Sequence, residues 1–149
     1  MNDMNLRRRN LVLALALAGT VGLVTGCKTT ADSQYTQEVE LTGTNEVPAV
    51  KTNATGTATV TIKPDRSVSV KVKFRDMVAT ASHIHEGKAG TNGPVIVPFT
   101  KTADDTFESA PGAALTEAQY AAYKAGNLYV NVHTAKNPGG ELRGQLKGF

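Results

Sequence analysis

The feature that most constrains this chain is strict alternation of apolar and polar residues. In "SVSVKVKF", Val68, Val70, Val72 and Phe74 alternate with Ser67, Ser69, Lys71 and Lys73. A strand puts residues i and i+2 on one face, so this pattern has one apolar face and one wet face. On a helix the same residues would be scattered around the axis, and no face could be buried cleanly. "YTQEVEL" and "TATVTI" repeat the pattern, with Tyr35, Gln37, Val39 and Leu41, then Ala58, Val60 and Ile62, on single faces. Lys63-Pro64-Asp65-Arg66 has turn chemistry, so the second and third of these strands are predicted to form a hairpin. Further strands are predicted at 79–85, 94–99, 128–133 and 141–147. One segment breaks the pattern, "LTEAQYAAYKAGN". There Thr116 and Gln119 have capping-box spacing and Gly126 suits a helix end, so one short helix is expected. Many short strands with turn signals predict an all-β, antiparallel β-sandwich or small barrel.

The amino terminus belongs to no fold. "MNDMNLRRRNLVLALALAGTVGLVTGC" has a basic start at Arg7, Arg8 and Arg9, an apolar run from Leu11 to Val24, and small residues before Cys27. That is the order of a secretory signal peptide. Val24-Thr25-Gly26-Cys27 resembles a bacterial lipobox, with Val where Leu is usual. The resemblance implies cleavage before Cys27 and lipidation of its sulfur and new amino group. Several acyl chains anchor stably where one does not. Lys28 in place of Asp after the cysteine resembles the signal for outer-membrane sorting. The expected organisation is a lipoprotein signal peptide at 1–26, a lipidated Cys27 with a polar tether to 34, and one domain at 35–149. The expected location is the cell envelope, at the periplasmic face or the surface of the outer membrane.

This organisation changes the charge argument. The whole chain has 16 Lys+Arg and 13 Asp+Glu. Removing residues 1–26 takes away three arginines and Asp3, leaving 13 against 12. A balance so near zero, without a basic run or basic–aromatic interleaving, gives no expectation of a nucleic-acid partner. Cys27 is the only cysteine, so an internal disulfide is excluded.

Four stretches, taken together, resemble the CHRD domain, named after chordin and found also in microbial secreted proteins. They are "LTGTNEVPAV" (41–50), "SHIHEGKAGTNGPVIVPF" (82–99), "LTEAQYAAYKAGNLYVNVHT" (115–134) and "NPGGELRGQL" (137–146). The resemblance implies an immunoglobulin-like or superoxide-dismutase-like β-sandwich, in agreement with the alternation.

The chain has three histidines, His83, His85 and His133. If Ile84 faces the core, His83 and His85 stand side by side on the opposite, outward face. In "LYVNVHT" the same logic separates Leu128, Val130 and Val132 from Tyr129, Asn131 and His133. In "ELRGQL" it separates Leu142 and Leu146 from Glu141, Arg143 and Gln145. "TAKNPGG" between these runs predicts a hairpin, with Asn131 opposite Arg143 and His133 opposite Glu141. Tyr129, Asn131, Glu141 and Arg143 then form a polar network on one face, and Glu46 is placed to accept hydrogen bonds from it. If strand 79–85 lies beside this hairpin, the three histidines converge. Three neutral imidazoles suit copper or zinc, and Glu141 is the candidate fourth ligand or the carboxylate that orients His133.

Two function classes follow. One is a lipid-anchored envelope binding module that holds copper or zinc through His83, His85 and His133. The other is a metal-free structural or protein-interaction domain whose polar face contacts an envelope protein. An enzyme is not expected. Ser82 and His83 are strand neighbours and point to opposite faces, and no G-x-S-x-G elbow is present. A copper-zinc dismutase site needs more imidazoles and a disulfide, which three histidines and one cysteine cannot supply. The glycines of "EGKAGTNGPV" lack P-loop spacing.

Overall fold

The computed structural model describes residues 35–149. The expectations for the signal peptide, Cys27 and the tether to residue 34 lie outside the described residues. The alternating segments form strands β1 (Thr36–Leu41), β2 (Thr55–Ile62) and β3 (Val68–Arg75), followed by β4 (Ala79–Glu86) and β5 (Val95–Ala103). Then come β6 (Thr106–Ser109), helix α1 (Glu117–Lys124), β7 (Leu128–Thr134) and β8 (Leu142–Gln145). All pairings are antiparallel, in the order β1-β2-β3-β6-β5-β4-β7-β8. The fold is all-β with one short helix, as the alternation predicts.

The layers of this sandwich-like fold are parts of one nearly closed sheet. β5 pairs with β4 through Val95–Pro98 and with β6 through Phe99–Ala103, so it turns one layer into the other. On the far side, β1 and β8 meet through a reciprocal backbone pair, Thr42 N to Arg143 O at 3.1 Å and Arg143 N to Thr42 O at 3.0 Å. Such closure leaves few strand edges open. β6 was not foreseen. It is four residues long, too short to show a period, and Phe107 is its main apolar contribution to the core.

The interior collects the predicted apolar face of each strand: Val60 and Ile62, Val70 and Val72, Ile84, Val130 and Val132, Leu142. The helix begins with the expected capping box, in which Thr116 and Gln119 bond each other's backbone N–H. It ends at Gly126, which takes a positive φ of 72°. Gln37 of β1 ties the helix down through its 3.1 Å bond to the Tyr123 hydroxyl.

The outer face of β4, β7 and β8 departs from expectation. Every residue of β7 is buried, on both faces. Segments 43–54, 87–94 and 135–141 fold over the polar side, held by bonds such as Asn92 to Val47 O, Thr52 to Glu141 and Arg143 to Thr91 O. The polar face is therefore a second, hydrogen-bonded core outside the sheet.

Gly144 permits the closure. A Cβ there would lie 2.6 Å from both Glu40 O and Val39 Cγ1. Gly144→Ala is expected to force β1 and β8 apart and to cost roughly 1–3 kcal/mol, as overpacking does. Urea unfolding of the variant beside the parent checks this, and an unchanged midpoint would contradict it.

Candidate metal centre

β4 and β7 are direct neighbours, which brings the histidines together. In their register Ala81 is opposite His133, His83 opposite Asn131, and His85 opposite Tyr129. His83 and His133 are thus diagonal neighbours on one face. His83 Nδ1 lies 3.0 Å from His133 Nε2. The ring centroids are 4.9 Å apart for that pair, 5.5 Å for His83 and His85, and 5.9 Å for His85 and His133. One ring nitrogen from each residue lies within 4.8 Å of the other two. A bulge between Ile84 and His85 in the β4–β5 ladder sits beside the cluster, as bulges often do where a side chain is aimed.

Backbone carbonyls fix two of the rings. His85 Nδ1 is 2.9 Å from Gly93 O, and His133 Nδ1 is 2.9 Å from Pro138 O. A carbonyl only accepts, so both Nδ1 atoms carry the proton and donate. In the neutral rings both Nε2 atoms then present bare lone pairs. His133 Nε2 accepts from His83 Nδ1. His85 Nε2 is buried and has no hydrogen-bond partner. The surroundings favour the neutral form of all three imidazoles. Burial, then the neighbouring His133 and His85, lowers the His83 pKa to about 4. Burial also lowers those of His85 and His133.

Arg143 holds the cover over the site. It is 1% exposed. Its guanidinium donates to Thr91 O at 2.7 Å, Asn92 Oδ1 at 3.1 Å and Lys88 O at 3.2 Å, and lies 3.5 Å from the Tyr129 ring centroid. His85 stacks on the same ring at 4.8 Å with the planes 10° apart. The Tyr129 hydroxyl accepts from Gly93 N at 3.2 Å. Arg143 thus pins the loop whose Gly93 carbonyl orients His85.

Asn131 faces Arg143 across the β7–β8 ladder, as the hairpin reading predicts. Glu141 is a correction. Its carboxylate accepts from Thr134 at 2.6 Å, Thr52 at 2.7 Å and Asn137 at 2.9 Å. Burial would raise its pKa, but those three bonds outweigh burial and hold it below the usual carboxylate value. It braces the 134–141 turn and is not one of the clustered ligands. The Pro138 carbonyl, not Glu141, orients His133. The histidines stand on the face away from Ile84 and the apolar core, as expected, but that face is not open to solvent. His85 and His133 are 8% and 9% exposed, because loops cover that face. The orienting carbonyls of Gly93 and Pro138 have no side-chain signature, so alternation could not reveal them. A cleft of about 630 Å³ lies over Glu40, Thr57 and Lys73 on the opposite layer and touches none of the site residues.

The chain is thus a β-sandwich-like, nearly closed β-sheet domain with a covered cluster of three histidines outside its apolar core. The chain belongs to the CHRD domain family, whose model matches residues 37–146. No curated protein and no solved structure gives a significant match.

Glu46 adds a titratable group beside this network. It is 5% exposed, and its Oε1 has no hydrogen-bond partner. Burial, opposed by the nearby Arg143 charge, raises its pKa to about 7. Relative to an ordinary carboxyl, the folded state prefers protonated Glu46. That preference stabilises fully below about pH 4.5 and is lost as pH rises through about 7. Glu46→Gln stays neutral and is expected to gain stability over the parent between pH 5 and pH 8, on the order of 2 kcal/mol. Melting curves of both proteins across that range check it. A constant difference would show that Glu46 does not titrate in the fold.

Proposed function

We propose that this chain is an envelope binding module that holds a zinc or copper ion through His83 Nδ1, His85 Nε2 and His133 Nε2. The observation that carries the reading is the buried, unpartnered Nε2 of His85, in a cluster where the lone pair of His133 Nε2 faces only the His83 ring. A buried acceptor without a donor is costly, and a cation relieves it. The Gly93 and Pro138 carbonyls are the outer partners that metal-binding imidazoles usually have. Zn–N bonds of about 2.0–2.1 Å place tetrahedral nitrogens about 3.4 Å apart. The present 3.0–4.8 Å spacings need only ring movements on the order of 1 Å to reach that value. His83 gives up the Nδ1 proton that now bridges to His133 and carries it on Nε2 instead, so it binds as a neutral ring. A metal-free interaction surface fits less well, because the polar face is covered by its own loops.

Isothermal titration of the purified chain with zinc and copper tests this. One ion per chain is expected, with affinity reduced at least about a hundredfold in His133→Ala, roughly 3 kcal/mol. Retained affinity in both His133→Ala and His85→Ala would sink the three-histidine site.

The amino-terminal pattern supports anchoring by a lipid on Cys27, at the outer membrane. Palmitate labelling and membrane fractionation are the measurements. Cys27→Ser is expected to lose the label and leave the membrane fraction. A parent chain that is unlabelled and soluble would overturn the anchor.

A further inference from the structure

The three histidines do not fill a four-coordinate shell, and the sequence candidate for the fourth position, Glu141, is engaged elsewhere. Asn131 is a further buried polar side chain on the histidine face. It sits on β7 directly across from His83, two residues before His133, so its side chain shares their face. It is 1% exposed. Its Nδ2 donates to Gly139 O, at a long 3.5 Å. A carbonyl accepts only from the amide's N–H side, which leaves Oδ1 turned the other way. Oδ1 is buried and has no hydrogen-bond partner. The amide bears on His85, where it favours the protonated ring, as an acceptor oxygen does.

Asn131 Oδ1 and His85 Nε2 are both buried without a hydrogen-bond partner, and the amide is near enough to act on the ring. Native interiors rarely leave such atoms unpaired, and one cation would satisfy both. Zinc and its borderline neighbours take four ligands of nitrogen and oxygen type. We propose that Asn131 Oδ1 is the fourth protein ligand, closing a three-nitrogen, one-oxygen shell for a borderline divalent cation. The inference rests on the three-histidine reading. It narrows the ligand class toward zinc, cobalt(II) or copper(II), and away from cuprous ion, which sulfur ligands select. It also gives the buried amide a role that hairpin register alone does not require.

Cobalt(II) titration of the purified full chain reads the site directly, because four-coordinate cobalt(II) absorbs strongly in the visible. The parent is expected to show that absorption. Asn131→Leu is expected to bind zinc roughly tenfold more weakly and to show a shifted cobalt spectrum, since solvent replaces the amide. Asn131→Asp keeps an oxygen ligand and adds charge, so it is expected to bind at least as tightly as the parent, with its own shifted spectrum. A parent that binds neither ion overturns both this inference and the three-histidine site. Unchanged zinc affinity and cobalt spectrum in Asn131→Leu, beside an intact parent, overturn the inference alone. If Asn131→Leu fails to fold by circular dichroism, Asn131→Asp decides: weaker binding or an unshifted spectrum overturns the fourth ligand.

Discussion

The buried guanidinium of Arg143 is the interaction on which the rest of the site depends. A charge so thoroughly removed from water is tolerable only if its donors are met. Here they are met by two backbone carbonyls and one side-chain amide of the 88–92 loop, with the Tyr129 ring stacked beside them. Because the fork is planar and rigid, satisfying it also dictates where the loop runs. The loop in turn presents Gly93 to His85. The backbone of Arg143 meanwhile pairs with Thr42 and closes the sheet. Closure of the fold and orientation of the histidine therefore converge on one residue.

The molecule has two cores with opposite chemistry. Inside the sheet, apolar side chains exclude water and supply the main driving force for folding. Outside β4, β7 and β8, polar side chains are also withdrawn from water, and nearly all find partners. The exceptions include His85 Nε2, Asn131 Oδ1 and Glu46 Oε1. The first two lie on the face of the histidine cluster, and the third belongs to the carboxyl whose pKa burial raises to about 7. Burial, helped by the neighbouring charges, lowers the pKa of all three histidines, which favours the neutral rings that a metal would need.

Much of this was legible in the residues. The alternation in Ser67–Phe74 and Leu128–Thr134 assigned strands and inward faces correctly. Thr116, Gln119 and Gly126 marked the helix, and Asn131 was correctly placed opposite Arg143. β6 escaped because four residues cannot display a period. Glu141 was misread because facing residues on a ladder need not bond. Thr52, far away in sequence, and Asn137 captured its carboxylate instead. The orienting groups of His85 and His133 are main-chain carbonyls, and every residue has one, so no pattern of side chains distinguishes those of Gly93 and Pro138.

The sequence by itself determined which residues face the apolar core, because the two-residue period of a strand is a local property of the backbone. It also placed His83 and His85 side by side, and His133 in phase with Asn131. Only the tertiary structure decided that β4 pairs with β7, that loops bury the polar face, and that the His85 imidazole keeps a bare Nε2. Those outcomes depend on contacts between residues far apart in the chain. Such contacts are set by the closure of the whole sheet and by the hydrogen-bond demands of one buried arginine.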